Sequence, residues 1–337
     1  MNNYHNKDVT DNNIKELLNN LDVNIVDLVL SNNKISTIDK IPNFINILNL
    51  NNNNIENIDF IDDRNWETIL LSNNNIKITY IQNVKCKNLD LSENKIEELI
   101  IENCEIQNLD ISNNIINKIS FINSKIFNLD ASINKLKEFI SYPINIENLK
   151  LFYNKIKIIE KVPDTILVLD ISDNKLEQLP KLSINLKKLD VCKNNIKNIN
   201  VEDIPNNIIF LDLTDNPLLD KSILSSLKID TLYFDEIDNT LTRTSMVIDT
   251  PAESSDDNSS DIDIPINKKT QFKMDDSSDS SDSSDDALYL DSFIKEINSK
   301  DDNIDALFAN LRKNISIENT PCHAKSTRVN MNWNIVL

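Results

Sequence analysis

The sequence predicts an α/β-type repeat solenoid in which short parallel strands stack unit upon unit, and two observations carry the prediction. The apolar pattern L-x-x-L-x-L-x-x-N-x-L recurs, with Ile, Val, Trp, Cys or Ala also accepted at the Leu positions. A single unit of this kind cannot bury its apolar side, but stacked neighbours bury it from both sides. The asparagine of the pattern returns every 20 or 21 residues, with a last step of 22, at Asn33, Asn53, Asn74, Asn94, Asn114, Asn134, Asn154, Asn174, Asn194 and Asn216.

These ten turn asparagines are predicted to be structural. An amide enclosed in a turn must find hydrogen-bond partners, and the adjacent units offer backbone groups for it. The chain contains no glycine, so other residues must also take the left-handed backbone positions, and Asn is the usual substitute.

The segment that returns from one strand to the next is predicted to be extended or 3-10 helical. About nine residues remain after each eleven-residue motif, which is fewer than a typical helix of about 11 residues needs. Proline favours an extended segment and opposes a helix interior. It stands three residues before the next unit's first apolar position at Pro42, Pro143, Pro163 and Pro205.

The motif resembles that of the leucine-rich repeat family, in its short form of 20–22 residues, over roughly residues 25–237. The resemblance implies a right-handed horseshoe with short parallel strands on the concave face and extended or 3-10 segments on the convex face. The composition, rich in Asn, Ile and Lys, resembles that of proteins of this family in amoeba-infecting giant viruses or slime moulds.

Five segments are expected along the chain. Residues 1–24 form an N-terminal helical cap, whose helix Asp11 can cap, and residues 25–238 form ten repeats and a terminal cap. Residues 239–286 form a disordered acidic linker rich in Ser and Asp, because the segment has too little apolar content to fold. Residues 287–315 form an amphipathic helical segment, and residues 316–337 a tail.

Two features of the C-terminal part bear on regulation. Ser254, Ser260 and Ser283 each precede an acidic residue by three positions, which resembles the acceptor pattern of acidophilic kinases of the casein-kinase-2 type. A merely solvated linker is the alternative. The helices expected in 287–315 could pair with each other, dock on the solenoid end or fold onto a partner.

Composition argues against most enzymes and against nucleic acid. The absence of glycine removes the phosphate loop, the dinucleotide fingerprint and the nucleophile elbow. A net charge of −19 opposes phosphate contacts. His5 and His323, the two histidines, lie in no catalytic or metal-binding constellation. We therefore expect a monomeric, intracellular, non-enzymatic protein with no cofactor, no metal, and no nucleic-acid or membrane partner.

Two lines of polar residues are expected on the concave face. Asp90, Asp110, Asp130, Asp170, Asp190 and Asp212 stand between the two strand apolars of their units, where a structural or solubility role is favoured over cation binding. Beside them run the amides of Asn88, Asn108, Asn128 and Asn148, which can bond each other across strands.

One place departs from this polar pattern. Lys150 replaces the aspartate of its unit, Phe152 and Tyr153 replace the usual polar pair, and Ile133 holds the position of Tyr153 one unit earlier. Aromatic anchors ringed by polar groups are typical of binding hot spots. The sequence predicts that these four residues bind a protein partner, although a loop or the tail could instead cover them.

The predicted function is a protein–protein interaction scaffold that binds its partner on the concave face. One alternative is an acidic-tailed chaperone or regulator of basic proteins such as histones. The other is a ligase substrate adaptor, whose helical box would lie in 287–315.

Overall fold

The computed structural model describes residues 2–159, 161–220 and 222–235 and the backbone of 245–247. These residues form a parallel solenoid of repeated strand-and-turn units, as predicted. Among these described residues there is one α-helix, α1 (Asp11–Asn19), and there are two 3-10 helices, Val201–Asp203 and Ser222–Ser226. The strands are β1 (Asn2–Asn3), β2 (Asp27–Val29), β3 (Ile47–Asn49), β4 (Asn65–Leu70), β5 (Tyr80–Gln82), β6 (Lys85–Asp90), β7 (Glu98–Glu102), β8 (Glu105–Asp110), β9 (Lys118–Ile122), β10 (Lys125–Asp130), β11 (Asn148–Lys150), β12 (Val168–Asp170), β13 (Lys188–Asp190), β14 (Phe210–Asp212), β15 (Thr231–Asp235) and β16 (Ser245–Val247).

Thirteen of these strands form one long sheet in the order β1-β2-β3-β4-β6-β8-β10-β11-β12-β13-β14-β15-β16. The pairs from β1 to β15 are parallel, and each strand is displaced by one unit from the next, so that Leu109 lies opposite Leu89 and Leu129. The register follows the repeat because equal spacing brings equal residues side by side on one face of the sheet.

The core lies behind the long sheet and runs through every unit without a break. In the unit of Asn94 it takes Leu89 from the strand, Leu91 and Ile96 from the turn that follows and Leu99 from the return segment, each at most 1% exposed. Each unit rests its apolar positions on both neighbours, which is why the short repeat is stable only in a stack.

A second parallel sheet, β5-β7-β9, occupies three consecutive return segments. The extended return segments of the sequence prediction are therefore confirmed, but here they also pair with one another. A left-handed asparagine follows each of these three strands, at Asn83, Asn103 and Asn123, with φ of 58°, 52° and 48°. Later return segments contain single bridges, such as Glu138 with Ile158, and a 3-10 helix at Val201–Asp203.

At the N-terminal end, α1 begins after Thr10, whose backbone N–H donates to the side chain of Asn13. Asp11 was expected to cap the helix but is its first residue. Its carboxylate instead accepts the backbone N–H groups of Ser36 and Thr37 in the first repeat. The strand β1 before the helix extends the long sheet and was not predicted.

At the C-terminal end, the truncated eleventh unit contributes β15, which pairs in parallel with β14. The antiparallel strand β16 then covers the free edge of β15. The longest helix among the described residues is α1, with nine residues. It is far shorter than the roughly 20 residues that a membrane-spanning helix needs. The predictions for Ser254, Ser260 and Ser283, for the linker and for 287–315 lie outside the described residues.

Candidate functional site on the long sheet

The turn asparagines join each unit to the one before it. In Asn114, the amide nitrogen donates to the carbonyls of Leu91, Ile111 and Ser112 at 3.0–3.1 Å, and the amide oxygen accepts the backbone N–H of Ile96 at 3.0 Å. Two of these partners belong to the preceding unit. The same set of bonds recurs for Asn174. A buried amide is thereby satisfied on both its donor and acceptor sides.

The acidic row is a line of side chains in register across the strands, on the side of the long sheet that faces away from the core. We define it as Asp90, Asp110, Asp130, Lys150, Asp170, Asp190 and Asp212, which are successive Cα partners in adjacent strands. Each aspartate accepts the backbone N–H two residues later, as Asp110 does from Ser112 at 2.9 Å. The carboxylate therefore closes the turn that leaves the strand, which gives the row a structural role.

The row is also a place of charge repulsion. Burial, and then the negative charges of Asp130 and Asp90, raise the pKa of Asp110 well above its ordinary value. Burial raises the pKa of Asp90 as well, and the charge of Asp130 adds to this despite two hydrogen bonds from Ser92. Parallel strands bring like side chains together, so the repeat itself creates this repulsion.

Beside the acidic row lies the amide row, Asn88, Asn108, Asn128 and Asn148. Each amide nitrogen donates to the amide oxygen of the preceding member at 2.5–2.6 Å, and Asn88 donates to the hydroxyl of Thr68 at 3.0 Å. The row ends where Val168 takes the next register position. Such a chain of amides stiffens this part of the sheet.

The side chain of Lys150 packs along the acidic row and does not project into solvent. Its ammonium group is 3.4 Å from Asp130 Oδ2, and both side chains are close to nine-tenths buried. A buried pair of this kind costs desolvation that its attraction only partly returns. The sequence predicted Lys150 as a contact residue, and the structure shows that it also pairs within the chain.

A third line, which we call the turn row, consists of the residue just before each turn asparagine. All ten members have left-handed backbones with φ of 51–56°: Asn32, Asn52, Asn73, Glu93, Asn113, Ile133, Tyr153, Asp173, Lys193 and Asp215. Eight are polar or charged and two are not. A left-handed conformation costs an ordinary residue roughly 1–2 kcal/mol, Asn and Asp tolerate it best, and it is rare for a β-branched residue such as Ile133.

The contact patch, defined as Ile133, Lys150, Phe152 and Tyr153, is brought together by the turns. The N–H of Ile133 donates to the carbonyl of Phe152 at 2.9 Å. Tyr153 is 49% exposed, whereas Phe152 and Ile133 are partly buried. The four predicted residues therefore lie in two adjacent units, with the tyrosine outermost.

One residue beside the contact patch, Ser132, was not predicted from the sequence. It is fully buried, and its hydroxyl is the one buried side-chain polar atom without a hydrogen-bond partner among the described residues. The equivalent hydroxyls of Ser92, Ser172 and Thr214 donate to the aspartate of their own unit. The sequence gives no signal, because Ser132 follows Asp130 as the other serines follow theirs.

Three groups elsewhere on the sheet lie close enough to suggest a metal site, namely Asp190, Cys192 and Asp212, whose ligand atoms are within 4.8 Å of one another. Cys192 is disulfide-bonded and offers no thiolate. Burial raises the pKa of the Cys86 thiol to about 12 and also raises that of Cys104, so these thiols are not activated nucleophiles.

No family model and no curated protein matches the chain. Among solved structures, it is similar to YopM from Yersinia enterocolitica WA-314, at 20% identity and a TM-score of 0.44, over 64% of this chain and 52% of that one. It thus spans about half the length of YopM. The leucine-rich repeat domain of APL1B aligns at 18% identity and a TM-score of 0.49, over 69% and 74% of the two chains. An internalin, InlF from Listeria monocytogenes, aligns at 15% and 0.28, over 66% and 93%.

The fold is assigned from the geometry of this chain. Ten motif units, one parallel strand per unit, a turn asparagine bonded to the unit before it and a continuous core define the architecture. The chain is a leucine-rich repeat solenoid.

Proposed function

We propose that this chain is a non-enzymatic scaffold that binds a protein partner through the contact patch, on the concave face expected for such a solenoid. The observation that carries the proposal is a concentration of locally unfavourable features between residues 130 and 153. Proteins keep such features where a function requires them.

The first unfavourable feature is a left-handed backbone at two residues that tolerate it poorly. Ile133 and Tyr153 hold left-handed positions at which the other eight units place polar or charged residues. Asparagine at either site would remove part of the cost, so stability alone does not select isoleucine or tyrosine.

The other features are polar groups in unfavourable surroundings. The buried Lys150–Asp130 pair and the unpaired Ser132 hydroxyl lie in the same two units. A buried unsatisfied hydroxyl costs about 1–3 kcal/mol. The adjacent Tyr153 exposes half of an aromatic side chain, the kind of anchor that dominates protein interfaces.

The test replaces the two unusual residues by the one most common in the turn row, in the double variant Ile133→Asn with Tyr153→Asn. We expect the variant to melt a few degrees higher, because about 1 kcal/mol of strain is relieved at each site and 1 kcal/mol shifts the midpoint by about 2–4 °C. Its affinity for a protein recovered on the immobilised full chain should fall at least about tenfold.

The matched control is Asn52→Ile, which places isoleucine in the same row four units before Ile133 and should lower the melting temperature without changing affinity. Unchanged affinity of the Ile133→Asn, Tyr153→Asn variant would show that the patch is not the binding site. If that affinity is unchanged and charge reversal at Asp170 abolishes binding, the chaperone-like alternative is favoured instead.

A further inference from the structure

We propose that the partner presents a lysine or arginine side chain to Asp90 and Asp110, about 10 Å from the apolar side chain that it packs on the contact patch. This inference rests on the proposed function and specifies the chemistry of its partner. It is drawn from the acidic row and from the position of Lys150 within that row.

The chain itself shows how this face accepts a cation. Lys150 lies in register with Asp130, and its ammonium group is 3.4 Å from that carboxylate without any break in the strand pairing. The row can therefore hold a positive side chain at one strand spacing from an aspartate. Asp90 and Asp110 repeat the same backbone geometry on the next two strands toward the N-terminus.

Asp90 and Asp110 differ from the rest of the row in their access to solvent. Both are only partly buried, whereas Asp130, Asp170, Asp190 and Asp212 are at most 6% exposed. The hydrogen bonds from Ser92 and Ser112 occupy Oδ1 of each accessible carboxyl. An approaching cation can therefore reach this part of the row and not the part beyond Lys150.

The charged groups around these two carboxyls are acidic. Asp110 faces Asp90 and Asp130, and Glu93 of the turn row lies near Asp90. None of the ion pairs found among the described residues includes Asp90 or Asp110. A cationic side chain would replace repulsion by attraction in a half-buried place, where screening by solvent is weaker than on an open surface.

The strand spacing fixes the geometry of the partner. Asp110 lies two strands from Lys150, whose unit also contains Tyr153, so a cation at Asp110 and an apolar side chain packed on Tyr153 are about 10 Å apart in the direction across the strands, which are spaced about 4.8 Å apart. An extended peptide covers this distance in about three residues, at about 3.3 Å each. The surface thus fits an extended segment with one basic and one large apolar side chain at that separation.

The experiment measures the affinity of short labelled peptides for the full chain by fluorescence anisotropy at one fixed salt concentration. One peptide of Ser and Ala carries Lys and Leu about three residues apart. A second replaces Lys by norleucine, and a third places Lys next to Leu. The protein variants are Asp90→Asn with Asp110→Asn, and the charge-matched control Glu98→Gln with Glu102→Gln on β7 of the second sheet.

We expect the first peptide to bind most tightly and to lose at least about tenfold in affinity for the Asp90→Asn, Asp110→Asn variant. The β7 control should stay near the wild-type value, and the norleucine peptide should not distinguish the variants. Equal affinity of the lysine peptide for wild type and for Asp90→Asn, Asp110→Asn overturns the inference, as does binding of none of the peptides.

The two proposals fail in different ways. If the Ile133→Asn, Tyr153→Asn variant loses its recovered partner but the Asp90→Asn, Asp110→Asn variant does not, the patch stands and the cation site is wrong. If lysine-peptide binding depends on the aspartates and is unchanged in the Ile133→Asn, Tyr153→Asn variant, the cation site stands without the patch. Loss of lysine-peptide affinity in both variants supports both proposals.

Discussion

The middle region, residues 65–130, and the later region, residues 142–212, share the turn asparagine but build different units. Strands β4, β6, β8 and β10 of the middle region have six residues each, whereas β11 to β14 of the later region have three. The second sheet lies wholly within the middle region. One repeat length therefore supports two kinds of unit.

The difference coincides with the residue that stands three positions before the first apolar position of the unit at six of these eight strands. Before β6, β8 and β10 this residue is a left-handed asparagine, as at Asn103, and before β11, β12 and β14 it is a proline, as at Pro163. Asp63 before β4 and Ser183 before β13 depart from this rule. Proline fixes φ near −65° and cannot take a positive value. After Pro163 the chain makes a tight turn, in which the N–H of Ile166 donates to the proline carbonyl, and only then joins the sheet.

The largest expected effect comes from exchanging these residues. Asn103→Pro should lower the free energy of unfolding by roughly 3 kcal/mol, because proline cannot adopt φ of 52° and removes the N–H that bonds the carbonyl of Ile122. The midpoint of urea denaturation measures the loss.

The reverse exchange, Pro163→Asn, forces no incompatible conformation and should cost less than about 1 kcal/mol. Equal losses for the two exchanges would show that this position does not decide the type of unit.

A second pair of substitutions tests what the two regions share. Asn114→Ala and Asn174→Ala should each cost on the order of 1–3 kcal/mol, because each leaves buried backbone groups unpaired. The hydrogen bonds of the two residues are the same in kind and number, so the two losses should agree. Chemical denaturation of both variants gives the comparison.

The control for Asn114→Ala is Asn117→Ala, an exposed residue nearby whose φ is not positive. Asn113 is adjacent in sequence and solvent-facing but unsuitable, because its φ is 52° and alanine there would add backbone strain. A large loss in Asn117→Ala, or unequal losses at Asn114 and Asn174, would contradict a shared ladder.

The solenoid could be predicted because its determinants are local and repeated. The spacing of the turn asparagines fixes the register, and alternation around residues such as Leu89 and Leu91 fixes the buried side. The second sheet was missed because its cause, the sign of φ at Asn83, Asn103 and Asn123, is a backbone property that a sequence abundant in Asn does not mark.

The contact patch was visible in the sequence as a departure from the repeat, but its energetic character was not. That Ile133 and Tyr153 are left-handed follows from the turn row, which appears only once the backbone is traced. The burial of Lys150 against Asp130 depends on how closely the surrounding side chains and turns enclose this face of the sheet. The repeat pattern gives the order of the side chains along the sheet but does not give their exposure to solvent.

The smallest effect concerns pH. A raised pKa in the folded protein means that Asp110 holds its proton more tightly when folded. Its contribution to stability is full below the ordinary value of 3.8 and is lost as pH rises through the higher folded-state pKa. Asp110→Asn should therefore flatten the fall in melting temperature as pH rises from about 4 to 7. At pH 7 the gain should be about 0.2–1 kcal/mol.

The same substitution in the later region provides the contrast. Asp170→Asn removes a carboxylate that lies beside Lys150 and accepts the Ser172 hydroxyl, so no gain is expected there. Thermal melts of both variants at several pH values separate the two regions. An unchanged pH profile in Asp110→Asn would show that repulsion along the row is negligible.

The direction of the turn asparagines has a consequence for protein synthesis. Asn114 bonds Leu91 and Ile96, which were polymerised earlier, and Asn33 already accepts the N–H groups of Lys7 and Val9. A chain that leaves the ribosome N-terminus first therefore meets each partner in the order in which it is made. Each turn asparagine thus closes onto residues already made, whereas the backbone N–H groups of the turns, such as that of Ile133 to the carbonyl of Phe152, are paired only when the next unit follows.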